Sequence, residues 1–257
     1  MGCDFGLDLA TAAMPDSLPP PPPIPSSAAL LLDFDGTLVE LAEAPDEIAV
    51  PAGLPALLDR IAGRLDGRVA LVSGRSVADL DRHAGPLDLA VAGSHGVELR
   101  FRGGGALPFE RPAALDFARE EASRFAADHA GLLVEDKPAG FALHFRRAAA
   151  LEGLVHAFAA ELAQRSGLVV QHGAMVVELL PRGIDKGEAV RRIMREPPFA
   201  GASPWFVGDD LTDENGFAAA AKLGGGGILV GPPRETSARW SLSGVAAVLA
   251  WLQTAAG

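Results

Sequence analysis

Apolar positions along this chain fall into two kinds of pattern. Short unbroken runs, Ala28 to Leu32, Arg68 to Val72, Leu87 to Ala92, Trp205 to Val207 and Gly227 to Val230, have the length and continuity of strands buried on both faces. Between them the spacing is helical. Leu54, Leu57, Leu58 and Ile61 share one side of a helix from about Gly53 to Leu65. Further helices are predicted over Val77 to His83, from Asp185-Lys186-Gly187, over Asp213 to Ala221 and over Val245 to Thr254. Strands alternating with helices through short polar connections predict a parallel sheet with crossover helices, an α/β fold.

The middle of the chain reads differently. Val97 to Phe101 and Ala106 to Phe109 flank a Gly103-Gly104-Gly105 turn. A helix from about Pro112 to His129 follows, then strands Leu132 to Glu135 and Phe141 to Phe145 around Lys137-Pro138-Ala139-Gly140. A second helix, about Ala148 to Ser166, leads into strands Leu168 to Gln171 and Met175 to Leu180. Helix and hairpin repeated twice is an antiparallel α+β pattern. The expected organisation is a parallel-sheet core made of residues 27–106 and 182–257, with an α+β domain inserted at 107–181. Gly103 to Gly105 and Pro181-Arg182-Gly183 are the expected hinges. Residues 1–26 end in Pro19 to Pro23, which cannot enter a sheet interior, and are read as a mobile arm.

Composition narrows the function. At 49% hydrophobic, 257 residues suffice for one large or two modest cores. A net charge of −11 without any Lys/Arg block argues against nucleic acid or an anionic membrane as partner. Cys3 is the only cysteine, so an intrachain disulfide is impossible and a reducing, cytoplasmic compartment is expected. No apolar run reaches the roughly 18 residues of a membrane span, and the first residues lack a signal-peptide pattern. The oligomeric state is left open, a monomer being compatible with the composition.

Polar groups gather at the predicted strand ends. Asp33 and Asp35 follow the first strand, Ser73-Gly74-Arg75 the second, and Asp209-Asp210 the strand at Trp205, while Lys186 opens a helix. In open α/β sheets ligands sit off the carboxyl ends of the strands. Alternate residues of an extended chain share a face, so Asp33 and Asp35 could converge on one point, where a hard Mg²⁺ would relieve their repulsion. Each signal alone also fits an Asx turn, an N-cap or a solvated charge. Together they suit phosphoryl transfer: a carboxylate nucleophile, a second carboxyl for proton transfer, a lysine and small donors for the phosphoryl oxygens.

The same residues resemble the haloacid-dehalogenase-like phosphohydrolases, and within them the trehalose-6-phosphate phosphatase family. Asp33-Phe34-Asp35-Gly36-Thr37-Leu38, Ser73-Gly74-Arg75, Lys186 within Gly183 to Gly187, and Gly208-Asp209-Asp210-Leu211-Thr212-Asp213-Glu214 match its four motifs, and the likeness runs from about residue 27 to the end. The resemblance implies a Rossmann-like core with a cap, Mg²⁺ as cofactor, and a sugar phosphate as substrate. It implies Asp33 as nucleophile, Asp35 as acid and base, and Asp33, Asp35 (through its carbonyl) and Asp209 as metal ligands. Ser73 and Lys186 would hold the transferring phosphoryl group, with Gly74 and Arg75 beside them on the substrate. Asp210 and Asp213 would orient metal-bound water or restrain Lys186. Glu135, Lys137 and Glu178 would recognise the sugar from the insert, and His95, Gly96 and Arg146 also match family positions. Mg²⁺ and Lys186 are expected to hold the Asp33 carboxyl down. Phosphatases for other sugar phosphates, a phospho-accepting receiver and a sugar-phosphate sensor are the rival readings.

Overall fold

The structure is a computed structural model that describes residues 18–42, 47–107, 112–173 and 175–256. Its larger sheet is built on β1 (Ala28–Leu32), whose alternating side chains face two cores. Leu30 and Leu32 pack on one side of the sheet with α1 (Leu54–Arg64) and α7 (Val245–Ala256). Ala29 and Leu31 pack on the other with α5 (Lys186–Ile193) and α6 (Glu214–Lys222). A strand covered on both faces has no polar face, which is why these segments read as continuous apolar runs.

On one side β1 pairs in parallel with β2 (Val69–Val72), which leads through α2 (Val77–Ala84) to β3 (Ala90–Gly93). On the other side it pairs with β10 (Ser203–Gly208), then β11 (Gly226–Val230) and β12 (Trp240–Leu242), all parallel. Antiparallel β4 (Glu98–Arg100) and β5 (Ala106–Leu107) extend the sheet beyond β3. The chain reverses direction in strand order next to β1, so the loops after β1, β2 and β10 meet at one edge.

The second sheet is antiparallel, in the order β6 (Leu133–Asp136), β7 (Phe141–His144), β9 (Val176–Leu180), β8 (Val169–Gly173). Its core of Phe141, Leu143, Val177 and Leu179 is closed by Leu115 of α3 (Ala113–Ala127) and by Val155 and Leu162 of α4 (Glu152–Ser166).

Four local expectations need correcting. Residues 18–26 are docked, not a free arm: Pro19 O accepts from Ser241 N at 3.0 Å, Pro22 O accepts from Trp251 Nε1 at 3.1 Å, and Ile24 is buried. Lacking N–H donors, the proline run lies along the exposed edge of β12 through its carbonyls and blunts that edge; residues 1–17 lie outside the described residues. Gly103 to Gly105 do not join the two sheets: they form the turn between β4 and β5, both of the larger sheet, where Phe101 N bonds Gly105 O at 2.6 Å and Arg102 bonds Asp88 at 2.8 Å. Leu107 still pairs with Leu99 in the larger sheet, while Phe109 falls outside the described residues. The second insert helix starts at Glu152 because Ala148, at φ −141°, breaks the helical path after a 3₁₀ turn.

All three tryptophans meet at the docked edge. Trp205 stacks on Trp240 with ring centres 4.7 Å apart and lies parallel to Trp251 at 6.4 Å.

Candidate active site

The site begins where β1 ends. Asp33 N still donates to Val207 O of β10 at 2.9 Å, so the last ladder bond fixes this residue at the sheet edge. The chain then folds back. Phe34 O accepts from Leu38 N at 2.8 Å and from Val39 N at 3.1 Å, and Gly36 takes φ +72°. A Cβ on Gly36 would lie 2.1 Å from Asp209 Oδ2, so only glycine lets this turn approach the loop after β10.

Asp33, Lys186 and Asp213 form the buried centre. Lys186 Nζ lies 2.8 Å from Asp33 Oδ1 and 2.6 Å from Asp213 Oδ1, and all three side chains are almost fully buried. Lys186 reaches this point because Asp185 caps α5, accepting from Glu188 N at 2.8 Å. Asp213 is fixed from the other side: its Oδ2 accepts from Asp210 N at 2.9 Å, and Gly208 leaves the space its carboxylate fills. Asp209 stands next to them, its Oδ1 accepting from Thr37 Oγ1 at 3.4 Å. Oxygens of Asp33, Asp209 and Asp213 lie within 4.8 Å of one another.

Three carboxylates around one ammonium leave this cluster short of positive charge. Burial pushes the Asp33 carboxyl well above the usual carboxylate range, against the pull of Lys186 and with the added push of Asp213. Lys186 alone therefore does not hold the Asp33 carboxyl down, and that expectation depends on the cation it was joined to. Burial and Asp213 also raise Asp209, while Asp33 and Asp213 outweigh burial and raise the Lys186 ammonium. A cation at this point would reverse the two carboxyl shifts.

Asp35 is not part of that cluster. The turn sends its side chain to Arg75, whose Nε and terminal nitrogen reach its two oxygens at 2.7 and 2.8 Å. The two aspartates thus do not converge as an extended strand would make them. Arg75, expected on the substrate, also bonds Asp79 at 2.7 Å and is spent on these two carboxylates. Ser73 is buried between the loops, its Oγ accepting from Arg75 N at 3.1 Å. Asp210 is exposed and turned outward onto Leu211 N at 2.6 Å, so restraint of Lys186 falls to Asp213.

Beside this centre a cavity of about 580 Å³ opens between the two sheets, lined among others by Gly74, His95, Glu135, Lys137, His172 and Glu178. His95 is held at φ +57°, its ring against Gly74. Burial, helped by the Lys186 charge, lowers its pKa and keeps the imidazole neutral, able to donate at one nitrogen and accept at the other. Lys137, in the turn that follows β6, pairs with Glu178 of β9, and Glu135 of β6 meets His144 Nε2 of β7 at 2.6 Å. Gly96 and Arg146 do not line this cavity; Arg146 lines a separate one with Leu133 and Arg147. His172 of β8 lies on the cavity wall and stacks on His156 with ring centres 4.8 Å apart.

The sequence model of the trehalose-phosphatases matches residues 31–245. The chain is similar to the trehalose-6-phosphate phosphatase of Escherichia coli (strain K12), with 38% identity over 242 residues, 93% of this chain and 91% of that protein. It is also similar to a probable trehalose-phosphate phosphatase of Sinorhizobium fredii (strain NBRC 101917 / NGR234), 39% identical over 211 residues, 81% of this chain and 80% of the other. Among solved structures, a trehalose-6-phosphate phosphatase related protein superposes with a TM-score of 0.65 at 27% identity, covering 88% of this chain and 96% of that one. The C-terminal domain of the Candida albicans trehalose-6-phosphate phosphatase superposes at 0.69 with 22% identity, covering 90% and 92%, a likeness of fold.

Proposed function

The chain belongs to the trehalose-phosphatase family, and on that premise we propose that its substrate is trehalose 6-phosphate, released as trehalose and phosphate in trehalose biosynthesis. It is a phosphoric monoester hydrolase with the haloacid-dehalogenase-like core. The observation that carries the reading is the buried Asp33, Lys186, Asp213 centre lying beside a cavity with polar walls.

The family implies a divalent metal, and the donor set fits one: three carboxylates within reach of a common point, with a single buried ammonium among them. Magnesium is our assignment, as a hard cation that takes carboxylate, water and phosphate oxygens. Asp33, Asp209 and the Asp35 carbonyl would hold it, while the Asp213 carboxylate beside them is engaged by Lys186 and Asp210 N. When bound it supplies charge stabilisation to the phosphoryl oxygens.

In this reading an Asp33 oxygen attacks phosphorus. The P–O bond to the sugar breaks as the Asp33–phosphorus bond forms, and Asp35 delivers a proton to the departing sugar oxygen. Asp35 then takes a proton from the water that cleaves the aspartyl-phosphate. Lys186 and Ser73 hold the phosphoryl oxygens through both steps, and Arg75 orients Asp35 until one of its oxygens is needed. The insert acts as a cap: Glu135, Lys137 and Glu178, with His95 opposite them, present both donors and acceptors to sugar hydroxyls. A cytoplasmic location rests on the lone cysteine; no helix among the described residues is long and apolar enough to cross a membrane.

Two measurements test this. Replacing Glu178 by Gln should raise KM for trehalose 6-phosphate about tenfold, a loss typical of one charge-assisted hydrogen bond. Turnover of p-nitrophenyl phosphate, which has no sugar, should be unchanged. A panel of sugar phosphates that favours another member would move the substrate and leave the core chemistry in place. The second measurement is pH-resolved melting. A carboxyl raised in the folded state contributes stability in full below its unfolded value, and loses it as pH rises through the folded value. Magnesium must displace those protons from Asp33 and Asp209. The gain in Tm on adding it should therefore grow as pH rises above the ordinary carboxylate range, and a pH-independent gain would place the cation elsewhere.

A further inference from the structure

Glu214 closes the fourth motif yet takes no part in the chemistry above. It opens α6 with its carboxylate turned away from the aspartates, toward the loop joining β11 to β12. There it pairs with Arg234, accepts from Thr236 Oγ1 at 2.8 Å, and accepts from Ser237 N at 2.7 Å. Thr236 Oγ1 in turn accepts from Ala238 N at 3.0 Å. One carboxylate thus gathers a whole loop, against a burial cost that these donors outweigh, since they hold its pKa below the usual range.

The loop delivers Arg234 to a particular place. Its terminal nitrogen donates to Asp210 O at 2.9 Å and reaches Asp209 O at 3.4 Å, while the other nitrogen holds Glu214. Pro232 and Pro233 precede it with restricted φ, and both ends of the loop are anchored in the sheet, so the approach is largely set before the guanidinium bonds. On the outer side of Asp209 the chain is otherwise open: Asp210 is exposed and Leu211 is 70% exposed.

We propose that Glu214 and Arg234 form a clamp that sets the backbone of the Asp209 loop and thereby the affinity of the acidic cluster for a divalent cation. This rests on Asp209 being a metal ligand, as read above. The pair is neutral as a whole, so it adds little field at the cluster. Its contribution is geometric: pinning two successive carbonyls fixes the direction from which the Asp209 side chain leaves the chain. Arg234 is a positioning residue, and the fork matters more than the charge, because an ammonium cannot span a carboxylate and two carbonyls at once.

The test is Mn²⁺ binding to the full chain, followed by electron paramagnetic resonance, with Mn²⁺ standing in for magnesium at an oxygen site. Two variants preserve local net charge: Arg234→Lys, and the double change Glu214→Gln with Arg234→Met. Each should weaken Mn²⁺ binding about tenfold, the low end of what outer partners of metal ligands contribute, with KM for trehalose 6-phosphate at saturating metal unchanged. Asp209→Asn is the reference and should lose the site. If both clamp variants bind Mn²⁺ like the parent while Asp209→Asn does not, the clamp is wrong and the metal assignment stands. If Asp209→Asn binds like the parent, the ligand assignment fails and takes the clamp with it. A rise in KM matching the loss of metal affinity would mean general disordering of the site, and would also overturn the clamp.

Discussion

Asparagine in place of Asp33 should leave a folded protein without turnover. The amide keeps the shape of the side chain but cannot attack phosphorus, and loss of a covalent nucleophile costs on the order of 10⁴- to 10⁶-fold in kcat. The fold should not suffer. Asp33 is one of three carboxylates crowded around a single ammonium, and its charged form is disfavoured by burial and by Asp213. Removing that charge leaves Lys186 its bond to Asp213. Metal-free Tm should therefore be unchanged or higher, while the gain in Tm from magnesium shrinks. Phosphate release beside a melting curve reads both. More than a few per cent of parental activity would remove Asp33 from the nucleophile's role.

Methionine at Lys186 should do the opposite, damaging activity and stability together. The ammonium sits between Asp33 and Asp213, all nearly excluded from water, and methionine fills similar length without charge. Breaking a buried pair by removing one partner costs roughly 3–5 kcal/mol, because the remaining charges are uncompensated. For a chain of this size that is a fall in Tm of roughly 10 °C. Adding Asp213→Asn to Lys186→Met should recover a substantial part of the Tm and none of the activity. Parental stability in the single variant would show that the cluster is balanced by something other than Lys186.

Where the sequence speaks through periodicity, it speaks clearly. β1, β2, β10 and β11 are buried on both faces, so each is an apolar run that only a strand of a covered sheet explains. β12 escapes that logic: Trp-Ser-Leu at a sheet edge is short, half-exposed and patterned like a loop. The docking of the proline run is equally hidden, because proline predicts extension and leaves open what its carbonyls will meet. At the site, motif residues fall where the strand ends put them, and the errors are errors of direction. The turn at Gly36 separates Asp33 from Asp35, and Arg75 faces carboxylates when the motif alone suggests phosphate. Arg234 carries no local signal: it lies 25 residues beyond Asp209 and becomes relevant only because β10 and β11 pair in parallel and set the loops that follow them side by side.

The tryptophan edge has a practical side. The chain has no tyrosine, and its three tryptophans all stand at the border where the proline run docks. Absorbance beyond the phenylalanine band, and tryptophan emission, therefore belong to one corner of the core, and the insert, whose aromatic rings are phenylalanine and histidine, is silent at those wavelengths. Stacked indoles should couple as excitons, giving a circular-dichroism couplet that vanishes when that corner opens. An unfolding curve followed by fluorescence would report the proline-clasped border and pass over melting of the cap. Comparison with far-ultraviolet circular dichroism would then separate the two events without a single label.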